Sequence, residues 1–298
     1  MTITRGVVLA LGGLAALAGC RELELPPPPG PGTVQAVVVY AHPGQYDLVP
    51  AVGARARLLR GTEAAVVEDP EGRLVLGGLG HAPPPLLITF DSDADGVDDR
   101  QRLVNLAAAG AGFGRDVFLG TLALNRNAEV TGKVKRGDRA QLAGGHGGIS
   151  LYVPEAPFAT TSADDGTYRL SALPEGELTI AAFVEGYEPF AQTIALRGGE
   201  RLSLADIELK PNPGAPTVGA LSGSAYLTDG APAAGVTVTA SQTAEAPPVV
   251  TDAQGAFSFP ALTVGLWNVR FERTGLATLR VDNVLVVGGQ NVLPPVVL

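Results

Sequence analysis

Asp91-Ser92-Asp93-Ala94-Asp95-Gly96-Val97-Asp98-Asp99 is the stretch of this chain whose spacing best suits chemistry, and the chemistry is coordination of a hard cation. Acidic residues at positions 1, 3 and 5, a glycine at 6 and a backbone carbonyl at 7 can wrap oxygen atoms around Ca²⁺. The candidate ligands are Asp91, Asp93, Asp95, the Val97 carbonyl and Asp99. Carboxylates this crowded repel one another unless a cation relieves them. Other chemistry lacks its parts. The three histidines, His42, His81 and His146, stand in Gly/Pro-rich turns without a Glu or His at ligand spacing, and they are expected to be exposed loop residues. No Gly-x-Ser-x-Gly elbow occurs, so nucleophilic catalysis has no obvious centre. Gly144-Gly145-His146-Gly147-Gly148 opens a strand rather than a helix, so it lacks the amide dipole that holds phosphate. No enzyme activity and no organic cofactor are expected.

The acidic stretch resembles the calcium loops of EF-hands and thrombospondin type 3 repeats. It departs from them at the twelfth position, where Arg102 replaces a bidentate Glu, and its flanks read as strands. A calcium loop and a solvated acidic hairpin turn both remain open at this point.

Cys20 is the sole cysteine. It follows Arg5, an apolar run from Gly6 to Ala18 and a small-residue stop, the order of a secretory signal too short for a mature membrane span. Leu17-Ala18-Gly19-Cys20 resembles the lipobox of bacterial lipoproteins, which implies acylation of Cys20 at a mature N-terminus. Each buried acyl methylene contributes ~0.8 kcal/mol, so two or three chains anchor a protein stably. Arg21 in place of the Asp that marks inner-membrane retention favours the outer membrane, on its periplasmic face or at the cell surface. Leu25-Pro26-Pro27-Pro28-Pro29-Gly30-Pro31-Gly32 then reads as a stiff polyproline spacer.

The formal net charge is −9, and one unit more negative once Arg5 leaves with the signal. Such a surface disfavours nucleic acid and anionic headgroups. Short stretches of Val, Leu, Ile and Thr separated by Gly and Pro mark an all-β chain of sandwiches or barrels.

The chain repeats itself. Glu68 to Leu79, Ser162 to Leu173 and Thr251 to Leu262 align without gaps, each closing an acidic or polar turn on a glycine: Gly72, Gly166 and Gly255. Apolar residues then alternate, as Leu74 and Leu76, Tyr168 and Leu170, and Phe257 and Phe259, which places each pair on one strand face. Upstream, Gly53, Gly148 and Gly235 each open another alternating strand. The marker glycines lie about 90 residues apart, the size of a small seven-stranded sandwich. The acidic loop is an insertion in the first copy.

The middle copy, with Val130-Thr131-Gly132-Lys133-Val134, the Leu173-Pro174-Glu175-Gly176 turn and Gly186-Tyr187, resembles the carboxypeptidase regulatory-like domain. The third copy keeps the Thr-Asp-x-x-Gly turn, and the first is the most divergent. The resemblance implies three tandem transthyretin-like β-sandwiches. The predicted organisation is a signal peptide over 1–19, a Pro-rich tether over 20–32, and sandwiches over 33–125, 127–211 and 217–298. A non-catalytic, lipid-anchored scaffold or protein-binding module follows as the expected function, with an unknown envelope protein as partner. The alternative is carbohydrate binding, which needs exposed aromatic platforms. Trp267 shares a strand face with Val269 and Phe271, so it is expected to be buried.

Overall fold

The computed structural model describes residues 31–41, 47–80 and 82–298. The predicted signal peptide, Cys20, nearly all of the tether, His42 and His81 lie outside them. The described chain is all-β, with six four-stranded sheets, two per repeat. Unit 1 comprises β1 (Gly32–Ala41), β2 (Leu48–Pro50), β3 (Arg55–Leu58), β4 (Ala64–Val66), β5 (Arg73–Leu79), β6 (Leu86–Phe90), β7 (Arg100–Val104) and β8 (Asp116–Leu124). Unit 2 holds β9 (Ala128–Arg136), β10 (Ser150–Tyr152), β11 (Ala159–Thr161), β12 (Thr167–Leu173), β13 (Gly176–Phe183), β14 (Phe190–Leu196), β15 (Arg201–Ser203) and β16 (Ile207–Leu209). In unit 3 follow β17 (Val218–Tyr226), β18 (Thr237–Ser241), β19 (Val249–Val250), β20 (Ala256–Thr263), β21 (Gly265–Glu272), β22 (Leu279–Val286), β23 (Gly289–Val292) and β24 (Val296–Val297).

The same two sheets recur in each unit, with β2 added to the first sheet of unit 1 alone and one closing strand there in place of two. In each unit the first strand pairs antiparallel with the strand after the acidic turn, in the registers Val34↔Leu76, Val130↔Leu170 and Leu221↔Phe259. It also pairs parallel with the closing strands β8, β15 and β16, or β23 and β24. The second sheet runs β4-β3-β6-β7, β11-β10-β13-β14 or β19-β18-β21-β22. Side chains at alternate positions bury between the two sheets, giving one core per unit.

The marker glycines are required twice over. Gly72, Gly166 and Gly255 have φ of +79°, +83° and +74°, a region that costs an L-residue about 1–2 kcal/mol. A Cβ there would also lie 2.5, 2.4 or 2.3 Å from the carbonyl oxygen of Val38, Val134 or Ala225 on the first strand. Each carbonyl of the three glycines accepts a hydrogen bond from the amide of that same first-strand residue.

Hydrogen bonds correct the gapless alignment by one residue. Val67, Ser162 and Thr251 are the structural equivalents, since their amides donate to Ala54, Ile149 and Val236 respectively, each at 2.9 Å. Unit 1 therefore carries one extra residue, Glu68, before its turn. The substitution has a consequence: Ser162 and Thr251 bury hydroxyls that accept the amides of Ile149 and Val236 and donate to the carbonyls of His146 and Ala233. Val67 fills the same place in unit 1 with hydrocarbon.

The three units close on one another. The Leu173–Gly176 turn of unit 2 docks on β7 of unit 1, where Leu103 donates to Glu175 at 2.8 Å and Glu175 donates back to Gln101 at 3.0 Å. Leu59 and Leu87 of unit 1 are buried in the unit 2 core. Tyr152, Ala181 and Phe183 of unit 2 pack against Val264, Leu266, Leu285 and Val287 of unit 3. Unit 3 returns to unit 1 through its last strand, with Val297 donating to Arg60 and Thr62 donating to Val297, both at 3.0 Å. The guanidinium of Arg60 meanwhile reaches Glu155 of unit 2 at 2.5 Å.

Candidate functional site

Between β6 and β7 the chain spans nine residues of tight turn, 91–99, held by its own carboxylates. Asp91 accepts the amides of Asp95 and Gly96 at 3.2 and 2.8 Å, and Asp95 accepts that of Val97 at 2.8 Å. Gly96 turns the corner at φ +90° and Ala94 takes φ +59°. One carboxylate oxygen each from Asp91, Asp93 and Asp95 lie within 4.8 Å of one another. Three of the predicted ligands thus converge. Asp99 does not join them: its two oxygens hold the amide and hydroxyl of Ser92, both at 2.8 Å. Arg102 points away, to the Ala123 carbonyl at 3.0 Å and the Glu175 carboxylate at 3.3 Å. Asp98 pairs with Arg55 at 2.7 Å.

The electrostatics of the trio are opposed. Partial desolvation raises the Asp93 carboxyl, the charge of Asp95 and its hydrogen bond to Asp91 add to this, and the pKa sits above its ordinary value. Desolvation also acts on Asp91, but the amides of Gly96, Asp95 and Ala94 outweigh it and hold that carboxyl below its ordinary value. The amides that Asp91 collects set the two carboxyls apart, and a cation bound by all three carboxylates would offset the repulsion between Asp93 and Asp95.

His146 differs from expectation. It is fully buried, not exposed. Its Nδ1 accepts the Arg136 amide at 3.1 Å and its Nε2 faces the Leu142 carbonyl at 3.2 Å. The glycine-rich loop wraps the ring because residues 137–148 fold back over β9, and Arg136 clamps the Gly145 and Gly147 carbonyls at 2.6 and 3.1 Å. The imidazole is spent on structure. Nothing in isolated spacing signals this, since both ring partners are backbone groups.

Trp267 is buried as predicted, 6 % exposed, and its indole N–H donates to the Thr263 carbonyl at 2.9 Å. Tyr187 packs under Arg136, 5.9 Å from ring centre to guanidinium, and its hydroxyl donates to Asp138 at 2.6 Å.

The sequence reading missed a cleft between units 1 and 2. Arg55, Arg57, Leu87, Thr89, Asp98 and Gln101 form its floor on the outer face of the β3-β6-β7 sheet, and Pro157 and Phe158 of unit 2 form its wall, around about 350 Å³. The alternation along β3 places Arg55 and Arg57 on the outer face, a signal that was present but ambiguous, because solvated arginines are common there.

Among solved structures, the chain is similar to the Bacillus anthracis TIE protein, at 13 % identity and TM-score 0.26, covering 90 % of this chain and 51 % of that one. The chain therefore spans about half the length of that protein. It is similar also to a minor pilin of Streptococcus agalactiae, at 11 % identity and TM-score 0.28, covering 60 % and 96 %. The shaft pilin SpaA of Lactobacillus rhamnosus GG gives 11 % identity and TM-score 0.22, covering 61 % and 98 %. No curated protein resembles the chain closely enough to count as a relative. Unit 3 carries the family likeness: residues 220–297 match the carboxypeptidase regulatory-like domain.

Proposed function

We propose that this chain is a non-catalytic scaffold, anchored in the bacterial cell envelope through acylated Cys20 and presenting three sandwiches as one body for a partner protein to dock on. The observation that carries the reading is the mutual closure of the units. Each touches both others, through the Glu175 turn, the Phe183–Leu266 contact and the Arg60–Val297 pairing. A flexible string of modules would not bury apolar residues of one unit in the core of the next, as Leu59 and Leu87 do. The lipobox supports the anchor, and Arg21 supports the outer membrane as its place. The carbohydrate alternative is weakened by Trp267, whose ring is committed to the unit 3 core.

The acidic loop enters the reading as a calcium site. Asp91, Asp93 and Asp95 supply the converging oxygens, and the ion would stiffen the β6–β7 connection beside the unit 1–unit 2 contact. This extension is separable from the scaffold reading.

Two measurements test the function. Intact mass of the mature N-terminus should show a diacylated Cys20, and Cys20→Ala should move the protein from membrane to soluble fractions. Cross-linking in the native envelope should join the chain to one recurring partner. An unmodified Cys20 thiol ends the anchor reading, and a chain that cross-links to nothing ends the docking reading.

A further inference from the structure

Six arginine and lysine side chains are partly or largely withdrawn from solvent among the described residues: Arg57, Arg60, Arg100, Arg102, Lys135 and Arg136. Five have acceptors. Arg60 holds Glu155, Arg100 and Arg136 hold backbone carbonyls, Arg102 holds Ala123 and Glu175, and Lys135 holds Asp206. Arg57 has no ion pair or side-chain hydrogen bond among the described residues. Its guanidinium is open to the cleft and free to meet a ligand there.

The groups beside it share that condition. Sheet register sets two rows across the outer face, Arg57–Leu87–Leu103 and Arg55–Thr89–Gln101. Gln101 is 7 % exposed, lines the cleft, and its side-chain amide has no partner among the described residues; nor has the Thr89 hydroxyl. Three polar groups therefore line one concavity without a partner among the described residues, their polar atoms open to the cleft rather than sealed from it. Leu87, Pro157 and Phe158 supply an apolar wall beside them. The volume of about 350 Å³ falls at the small end of ligand sites, which favour domain interfaces.

We propose that this interdomain cleft binds a peptide carboxylate of the partner protein, with Arg57 as its bidentate clamp and Gln101 and Thr89 as further donors. The donor set fixes the chemistry. A planar guanidinium matches a carboxylate in two parallel hydrogen bonds, and an amide N–H₂ and a hydroxyl complete its lone pairs. Asp98, already paired with Arg55, stands at the edge and selects against a ligand with a second negative charge nearby. A peptide suits the wall better than a sugar does: Phe158 is half-buried against the unit 2 core, offering less than the open ring face a pyranose needs. The assignment rests on the docking reading and names what that partner must present.

The test uses the full chain in detergent micelles, with nitrogen-15 spectra following the Gln101 side-chain amide. The probes are an acetylated hexapeptide ending in a free leucine carboxylate, its C-terminal amide, an amidated hexapeptide carrying one internal Glu, and galacturonic acid trimer. Saturable shifts with the free-carboxylate peptide, the Glu peptide or both, together with silence from the amide, support the proposal and identify which carboxylate is read. Arg57→Gln should weaken that binding by about tenfold or more, the scale of a lost charge-assisted pair, while Arg280→Gln on unit 3 leaves it unchanged. Silence from every peptide, equal binding by Arg57→Gln, or shifts with galacturonate alone would overturn it. If Arg57→Gln still cross-links to the envelope partner while no peptide binds the wild type, the cleft fails and docking stands. If peptides bind while no partner is ever captured, docking fails and the carboxylate site stands.

Discussion

Tyr168 offers a substitution that should make the protein more stable. Its side chain is 5 % exposed within the unit 2 core, and its hydroxyl is buried without a hydrogen-bond partner. The oxygen lies directly over Gly132, where a Cβ would come within 2.7 Å of it. Unit 3 shows the same pair in apolar form, with Phe257 over Gly223. A buried polar group without a partner costs about 1–3 kcal/mol, whereas an apolar group of the same shape does not. Tyr168→Phe removes that cost and leaves the ring in place, so a gain of about 1 kcal/mol is expected. For three units closed into one body that is roughly 2–4 °C in Tm. Urea denaturation followed by tryptophan-independent far-ultraviolet dichroism measures it. The alkaline limb provides a second readout. Burial raises the Tyr168 phenol above its ordinary value, and the charge of Asp206 adds to this. The folded state therefore keeps its proton where the unfolded chain has lost it, and stability present below pH 10 falls as pH rises through the folded value. Tyr152, whose phenol burial also pushes up, retains its share of that loss in the variant. Wild type should thus lose stability above pH 10 more steeply than Tyr168→Phe. A variant no more stable than wild type, or an unchanged alkaline slope, would refute the argument by showing that the hydroxyl is satisfied.

Gly255→Ala should destabilise unit 3 by about 2 kcal/mol or more, because positive φ and the Ala225 carbonyl at 2.3 Å from a Cβ both oppose it; a urea midpoint equal to wild type refutes this. Leu266→Glu places a charge against Phe183 and Tyr152 at the unit 2–unit 3 contact. Cleavage of the 210–216 linker by a nonspecific protease should accelerate in that variant, with unit cores intact by dichroism. Millimolar calcium should raise the Tm of the chain, and Asp93→Ala with Asp95→Ala should abolish the rise; a wild type indifferent to calcium removes the ion from the account.

The strands and their turns were legible because their determinants are local. Alternation at Leu74 and Leu76, or at Phe257 and Phe259, follows from the two-residue period of a strand. The marker glycines were legible because only glycine accepts that φ beneath a carbonyl. The one-residue offset at Glu68 was hidden, since Pro70 and Glu71 mimic the acidic turns of the other copies and only hydrogen bonds reveal the extra residue. His146 was hidden for a different reason: its partners are the Arg136 amide and the Leu142 carbonyl, which every sequence possesses. The acidic loop was half legible. Its spacing brings together Asp91, Asp93 and Asp95, while Asp99 is diverted by a serine whose competing amide the pattern does not weigh.

The inter-unit contacts escaped because the residues that make them are ordinary strand residues seen along the chain. Phe183 falls on the outer row of β13 with Glu177 and Thr179, and Leu266 on that of β21 with Asn268 and Arg270; a single apolar residue on a polar row is common at any surface and does not mark a contact face. Divergence of unit 1 becomes intelligible from these contacts. The Leu-Pro-x-Gly turn of unit 2 is occupied in docking, with a Cβ at Gly176 meeting the Leu103 carbonyl at 2.6 Å. Unit 1 has Gly80 to Pro85 where that turn would be, and gives its β7 edge to unit 2 instead. A repeat that must receive its neighbour on one edge and the last strand of the chain on another cannot keep the sequence of a repeat that does neither. The same demand places Arg57 and Gln101 under the shelter of Pro157 and Phe158, so the cleft is a product of closure and would not exist in any single unit.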